Sequence, residues 1–174
     1  EVKVAEIGLA VEAGADEIDV VLNVGDFFDG DYESVCDDLD EMKHSCRSAR
    51  MKVILETGAL KTARNIRDAS VLALYSGADF LKTSTGKEYP GASLDACYVM
   101  CQCIREYYEK TGRAVGFKAA GGISTTEDVL KYYTIVKTVL GEKWADSNEL
   151  FRIGASRLAN ALLSDIVGEQ VKYF

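Results

Sequence analysis

Long apolar runs and an excess of positive charge are both missing from this 174-residue sequence. No apolar run approaches the ~20 residues that a helix needs to cross a bilayer, and the first residues carry no signal-peptide pattern. The formal net charge is −8 at pH 7, whereas nucleic acids and anionic membranes attract proteins with a positive field. We therefore expect a cytoplasmic protein with no nucleic-acid or membrane partner, although a local basic pocket for a small phosphate stays compatible with this charge.

Histidine is nearly absent, and the cysteines form no CxxC pair. The single histidine, His44, lies in a polar helical stretch, where a surface residue is expected. The cysteines are odd in number, and we interpret them as small apolar packing residues in a reduced compartment: Cys36, Cys46, Cys97, Cys101 and Cys103. The sequence therefore predicts neither a metal site nor a complete disulfide framework.

Strands and helices are predicted to alternate along the whole chain. It begins within a helix, and compact apolar or β-branched runs then predict strands that begin near residues 18, 52, 80, 115 and 150. Helices are predicted at 1–13, 32–50, 62–76, 92–110, from 124 onward, and through Val167. Residues 25–31 are predicted as a loop, and 141–148 as a polar connection in which Trp144 is a packing residue. Ser124 and Glu127 are predicted to form a capping box.

This rhythm predicts a parallel sheet with right-handed crossovers. Five units of roughly 34 residues fill the chain, whereas an eight-stranded α/β barrel takes ~250 residues. An open doubly wound sheet is the alternative, but such a sheet usually begins with a strand and carries its glycine-rich loop early. We therefore expect a single domain, 1–174, that supplies about five βα units of the C-terminal part of a TIM (β/α)8 barrel. Alone, it is expected to expose sheet edges and to aggregate or assemble with a missing portion.

Lys82 interrupts one predicted strand, and Lys118 ends another, predicted at 114–118. A lysine in a buried strand costs free energy unless it is paired, neutralised or used in chemistry. Asp19 and Lys82 each lie five residues after a glycine that ends a helix, so we expect them at equivalent strand positions. Strand alternation would then bring Asp19, Lys82 and Lys118 to one interior face.

The chemical meaning of such a group is specific. A lysine beside a second cation has a lowered pKa and becomes an amine nucleophile, which attacks a carbonyl to form an imine. A buried structural salt bridge between Asp19 and a lysine is the alternative interpretation.

Two glycine-containing loops follow the last predicted strands. Gly121-Gly122 and Gly154-Ala155-Ser156 each precede a predicted helix, whose N-terminal N–H groups are suited to bind phosphate. In barrels the phosphate site commonly follows strands seven and eight, and these are those loops if the last strand here is the eighth.

The sequence resembles the deoxyribose-phosphate aldolase family of class I aldolases over nearly its whole length. The resemblance rests on five motifs in order: EIDVV at 17–21, VILETG at 53–58, DFLKTSTGK at 79–87, GFKAAGG at 116–122 and FRIGAS at 151–156. It implies that Lys82 forms a Schiff base, that Lys118 is the second lysine which perturbs it, and that Asp19 assists proton transfer through water. It also implies that the substrate phosphate is bound by Lys87, Gly121, Gly122, Gly154 and Ser156.

The reaction implied by the resemblance is the reversible cleavage of 2-deoxy-D-ribose 5-phosphate to D-glyceraldehyde 3-phosphate and acetaldehyde. This is a step of deoxyribonucleotide and carbohydrate catabolism that needs no metal or organic cofactor. A homodimer or higher oligomer is also expected.

Two residues depart from the family pattern. Ala119 stands where proline is usual, and Ser124 stands where arginine is common; Arg157 is a candidate to replace that charge. These departures, with three N-terminal βα units absent, leave a noncatalytic metabolite- or partner-binding scaffold derived from the aldolase as the alternative. A phosphate-binding barrel isomerase would instead need a carboxylate or histidine base in place of the second lysine.

Overall fold

The computed structural model describes residues 1–156 and 158–173. The helices are α1 (Val2–Glu12), α2 (Val24–Asp29), α3 (Tyr32–Ser45), α4 (Thr57–Leu60), α5 (Ala63–Tyr75), α6 (Leu94–Thr111), α7 (Thr126–Leu140), α8 (Glu142–Ala145) and α9 (Leu158–Val167). The strands are β1 (Glu17–Val21), β2 (Arg50–Ile54), β3 (Phe80–Lys82), β4 (Gly116–Ala120) and β5 (Phe151–Gly154). Within the described ranges, no helix is both long enough and apolar enough to cross a membrane.

The strands form one parallel sheet in the order β1-β2-β3-β4-β5. Each connection contains at least one helix, because parallel neighbours need a long crossover. The central strands β2, β3 and β4 have one face fully buried in the core, as at Val53, Leu81 and Phe117. Because side chains alternate along a strand, the opposite face is the one that carries Asp19, Lys82 and Lys118. The core and the polar residues are thus separated on the two faces of one sheet.

The predicted alternation of strands and helices is confirmed, and the corrections are local. The segment 25–31, predicted as a loop, contains most of α2, which begins after Asn23 and ends at Gly30 with φ 77°. The connection 141–148 contains α8. Trp144 is buried there and donates a hydrogen bond to the Val115 carbonyl at 2.9 Å, so its predicted packing role is confirmed.

The predicted capping box is wrong by one residue. Thr125 is the N-cap of α7, and its hydroxyl accepts a hydrogen bond from the Asp128 N–H at 3.1 Å. The Asp128 carboxylate accepts in return from the Thr125 N–H at 3.3 Å. Glu127 instead forms an ion pair with Lys131 at 2.8 Å, so the helix begins one residue later than Ser124 would require.

The prediction that Asp19 and Lys82 occupy equivalent strand positions is wrong by two residues. Asp19 pairs in register with Lys52, and Lys52 pairs with Phe80. Lys82 lies two residues further along, where it pairs with Lys118. Because two residues are the repeat of a strand, the three predicted residues still share a face.

Phe80 fills the interior below the two lysines. A Cβ added to Gly116 would lie 2.2 Å from the Phe80 ring, so glycine at 116 provides the space that this ring occupies. Phe80 is 1% exposed, so its ring is buried in this interior.

β1 and β5 are the two edges of the described sheet. The sheet curves so strongly that Glu17 of β1 accepts a hydrogen bond from Arg152 of β5. Its interior face is therefore concave, as in part of a barrel, and polar side chains from both edges meet inside it.

Candidate active site

Asp19 is the centre of the candidate site. Its Oδ2 accepts a hydrogen bond from Lys82 Nζ at 2.6 Å, and Lys118 Nζ lies 3.6 Å from the same oxygen. Its Oδ1 accepts from Lys52 Nζ at 2.8 Å. Burial acts to raise the pKa of Asp19, but hydrogen bonds from Lys52 and Lys82 and the charges of Lys118 and Lys82 lower it to about 2. Asp19 is therefore a carboxylate at neutral pH, with three lysine neighbours.

Lys82 and Lys118 are direct neighbours on β3 and β4. Their side chains are only 12% and 20% exposed. Burial lowers the pKa of Lys118, and the positive charges of Lys82 and Lys52 lower it further, against the opposing effect of Asp19. A Cβ on Gly154 would lie 3.1 Å from Lys118 Cε, so this glycine leaves space for the lysine. The structure thus brings together the three residues predicted as catalytic.

Lys52 is a part of the site that sequence reasoning missed. Its side chain is 7% exposed, and its Nζ lies 2.8 Å from Asp19 Oδ1 and 2.9 Å from Glu17 Oε2. The available signal is the one that identifies Lys82, a lysine within an apolar strand. The predicted strand began at Lys52, where a lysine needs no explanation, whereas the observed strand begins at Arg50 and places Lys52 inside it.

Glu17 connects Lys52 to the far edge of the sheet. The hydrogen bond from Arg152 is the largest of the effects that lower the pKa of Glu17 to about 2, while burial opposes it and Lys52 adds to it. The Arg152 guanidinium also lies 4.9 Å from the centroid of the Phe80 ring. A continuous chain of ion pairs therefore crosses the interior from β5 to Asp19.

A single open cleft of about 670 Å³ lies at the carboxyl ends of β3, β4 and β5. Carboxyl ends of barrel strands are where such folds bind their ligands. The predicted site residues that line the cleft are Lys82, Lys87, Lys118, Gly121, Gly122, Gly154 and Ser156; Thr85, Gly86, Ser124 and Ala155 line it as well. Asp19 is joined to the cleft through its hydrogen bond from Lys82. A larger surface cleft, of about 900 Å³ beside His44, contains none of the predicted residues.

The loop after β4 approaches the loop after β3 very closely. Gly121 and Gly122 have φ values of 89° and 78°, in the left-handed region that glycine adopts easily. A Cβ on Gly91 would lie 2.4 Å from the Gly121 carbonyl oxygen, so the two loops pack backbone against backbone. Both loops therefore present their main chains to one side of the cleft.

The N-terminus of α7 contributes less to this cleft than the sequence predicted. The Asp128 carboxylate accepts from the N–H groups of Ser124 and Thr125, at 3.5 and 3.3 Å. These two donors already serve a carboxylate. After β5, Ser156 lines the cleft, and Arg157, the candidate for a replacement charge, lies outside the described residues.

Comparisons with known proteins agree with this geometry. The DeoC/LacD aldolase family model matches residues 1–160. A deoxyribose-phosphate aldolase of Homo sapiens is 46% identical over 164 residues, which cover 94% of this chain and 50% of the human protein. A Caenorhabditis elegans protein, provisionally named a deoxyribose-phosphate aldolase, is also 46% identical and is covered over 54% of its length. A crystal structure from Coccidioides immitis, under the same provisional name, has a TM-score of 0.76 at 32% identity and covers 94% of this chain and 57% of that one.

The chain spans about half the length of the curated relatives that it matches. This share agrees with the prediction that it supplies about five βα units, and the predicted fold class, the TIM-barrel family, is confirmed. Because the family model matches most of its residues, the chain belongs to the DeoC/LacD family of aldolases.

Proposed function

We propose that the protein which carries this chain is a class I aldolase that reversibly cleaves 2-deoxy-D-ribose 5-phosphate to D-glyceraldehyde 3-phosphate and acetaldehyde. One observation carries the proposal: Lys82 and Lys118 lie 2.6 and 3.6 Å from one oxygen of Asp19, beside a cleft that Lys87 also lines. Two lysines and a carboxylate are the groups that imine chemistry needs, and membership of the family supports the same reaction.

Lys82 is the proposed nucleophile. Its uncharged Nζ attacks the aldehyde carbon C1 of the open-chain sugar, and the resulting carbinolamine loses water to give an imine. The 2.6 Å contact with Asp19 supports a role for this carboxylate in accepting and returning protons during these steps, directly or through water. The lowered pKa of Lys118 makes its ammonium a better proton donor than an ordinary lysine.

Carbon–carbon cleavage follows from the protonated imine. The electron pair of the C2–C3 bond moves into the imine, the C3 hydroxyl loses its proton, and C3 becomes the aldehyde carbon of glyceraldehyde 3-phosphate. The C1–C2 fragment stays on Lys82 as an enamine. Protonation at C2 and hydrolysis then release acetaldehyde and restore the amine. We assign these proton transfers to Lys118 and Asp19; that no metal or organic cofactor takes part stays a prediction.

The phosphate of the substrate is proposed to bind between the three loops at the rim of the cleft. Lys87 supplies a positive charge, and the hydroxyl of Ser156 is a hydrogen-bond donor. The main chain at Gly121, Gly122 and Gly154 allows close approach of a ligand, because these residues carry no side chain. The negative net charge of the chain does not oppose this, because the charged residues that line the cleft are the lysines Lys82, Lys87 and Lys118.

Trapping of the imine tests the proposal. The full-length protein is incubated with 2-deoxyribose 5-phosphate and borohydride, and the modified peptide is identified by mass spectrometry. We expect an added mass on the peptide that contains Lys82, no adduct at that position in Lys82→Met, and an unchanged adduct in a control, Lys110→Met, whose lysine is exposed on α6. Binding of the sugar phosphate without any adduct would contradict the aldolase and favour the noncatalytic scaffold.

Three broader points belong to the same proposal. Residues 1–174 are proposed to act as a single domain, the C-terminal portion of the barrel, and size-exclusion chromatography of the isolated segment tests for the expected aggregation. The same method, applied to the full-length protein, tests for a homodimer or larger assembly. A cytoplasmic location fits the class of reaction, and cell fractionation tests it.

A further inference from the structure

Glu56 is a buried carboxylate that the proposed mechanism does not use. It lies two residues after the end of β2 and is 5% exposed. Its backbone has φ 56° and ψ 59°, the left-handed conformation that residues other than glycine, asparagine and aspartate seldom adopt. Strained backbone of this kind persists where the surroundings determine it and is concentrated near functional sites. The position therefore needs an explanation.

The carboxylate of Glu56 accepts hydrogen bonds from Thr85, which lies in the loop after β3. Its Oε2 accepts a hydrogen bond from the Thr85 hydroxyl at 2.6 Å, and its two carboxylate oxygens lie 3.3 and 3.4 Å from the Thr85 N–H, which donates to them. The Thr85 hydroxyl oxygen accepts in turn from the Lys87 N–H at 3.3 Å. A chain of donors thus runs from the Lys87 main chain through Thr85 to Glu56.

The same loop is held from its other end by close backbone packing. A Cβ on Gly58 would lie 2.4 Å from the Pro90 carbonyl oxygen, and the Ala92 N–H donates to the carbonyls of Ala120 and Gly121 at 3.0 and 3.1 Å. These contacts fix residues 90–92. Glu56 acts in the middle of the loop, at the point where Thr85, Gly86 and Lys87 enter the cleft.

We propose that Glu56 is a positioning residue that fixes the segment 85–87 in the shape that receives the phosphate, and that it thereby sets the preference for phosphorylated over unphosphorylated sugars. This inference rests on the proposed function. Glu56 does not line the cleft, and its carboxylate oxygens are hydrogen-bonded to Thr85. Glu56 therefore acts through Thr85 and does not touch the reacting carbons.

The sign of the expected effect separates positioning from simple electrostatics. Neutralising a carboxylate near an anion site strengthens anion binding if only Coulomb forces act. Loss of the Glu56 charge should instead weaken phosphate binding, because the segment 85–87 loses its support. Glu88 is a matched control, since it is an exposed carboxylate of the same loop and its removal changes the charge without touching Thr85.

The experiment compares Glu56→Gln, Thr85→Val, the double variant and Glu88→Gln in the full-length protein. For Glu56→Gln and for Thr85→Val we expect KM for 2-deoxyribose 5-phosphate to rise about ten-fold, the scale of one hydrogen bond to a charged group, with kcat changed less than about two-fold. For Glu56→Gln, turnover of unphosphorylated 2-deoxyribose should stay unchanged. The double variant should be no worse than either single variant, because both interrupt one chain of contacts. Thr85→Ser, which keeps the hydroxyl, should restore most of the preference.

The inference would be overturned if Glu56→Gln lost activity equally on both sugars, or if the effects of the two single variants on KM added up in the double variant. It would also be overturned if Glu88→Gln changed KM to the same extent. Binding of inorganic phosphate, measured by calorimetry, gives a readout that does not need turnover: its Kd should rise about ten-fold in Glu56→Gln. An unchanged Kd overturns the positioning role whether or not the protein is active. A wild-type protein that forms no borohydride adduct overturns the aldolase proposal, and the phosphate titration still decides the role of Glu56.

Discussion

Replacing Lys52 with methionine is the sharpest test of the ion-pair chain in the barrel interior. Methionine keeps much of the length and the apolar stem of lysine and removes only the ammonium group. The lost contacts are two charge-assisted hydrogen bonds, at 2.8 Å to Asp19 and 2.9 Å to Glu17, from a side chain that is 7% exposed. Two such bonds correspond to ~3–6 kcal/mol.

Two effects reduce this value. The variant no longer buries an ammonium group, which is itself unfavourable, and each carboxylate keeps other cations: Arg152 for Glu17, and Lys82 and Lys118 for Asp19. We therefore expect Lys52→Met to lower the free energy of unfolding by about 3 kcal/mol at pH 7, the lower end of the range for breaking a buried ion pair.

The loss should depend on pH in a defined direction. The pKa of Asp19 and that of Glu17 are each about 2 in the folded protein, below the ordinary values of 3.8 and 4.5. Their ion pairs therefore contribute fully above about pH 4.5, and the contribution is lost as pH falls toward 2. Removing Lys52 raises both folded pKa values, so the difference between wild type and variant should be largest at neutral pH and should shrink toward pH 3.

Urea denaturation of the full-length protein at pH 7 and at pH 3 measures this difference, with Lys110→Met as the control for removing an exposed lysine. The alkaline limb of the activity profile provides a second readout. The positive charge of Lys52 lowers the pKa of Lys118, so this limb should move to higher pH in the variant. A loss below 1 kcal/mol, or an equal loss at both pH values, would refute the reasoning.

Two further predictions concern the neighbouring residues. Lys118→Leu should lower kcat for retro-aldol cleavage by ~100-fold or more, the scale of a lost acid–base group, and full activity in a steady-state assay would exclude the role given to this lysine beside Lys82. Gly116→Ala should lower stability by ~1–3 kcal/mol, because its Cβ would lie 2.2 Å from the Phe80 ring. Thermal unfolding checks this against Gly8→Ala, whose Cβ would meet only Ser45 Oγ at 3.7 Å; equal midpoints in the two variants would contradict the packing argument.

The strands were predictable because they are compact runs rich in apolar residues, and β1, β3 and β4 each follow a turn that contains glycine. Lys82 could be found because a lysine within such a run stands out, and Lys118 because it ends another predicted strand on the same face. The glycine loops were found from their place before predicted helices, and the resemblance added Lys87. The ends of the helices were less predictable. Ser124 and Thr125 are both acceptable N-caps, and each has an acidic residue three positions later, so only the three-dimensional packing selects Thr125.

Lys52 and Glu56 were missed for a different reason. Both lie at the ends of a predicted strand, where charged residues are ordinary. Their importance comes from partners far away in sequence: Asp19 is 33 residues from Lys52, and Thr85 is 29 residues from Glu56. The alignment of neighbouring parallel strands determines which distant residues meet. The sequence of one strand does not show how it aligns with its neighbours.

The charges of the interior suit both halves of the proposed function, the imine chemistry and the phosphate binding. Lys52, Lys82, Lys118 and Arg152 share only two carboxylates, those of Asp19 and Glu17. The described interior therefore carries more positive than negative charge, although the whole chain carries −8. The charges of Lys82 and Lys52 help to lower the pKa of Lys118, and the same positive field would attract the proposed substrate, an anionic sugar phosphate. A further carboxylate at this level would pair the lysines more completely, but it would weaken both effects together.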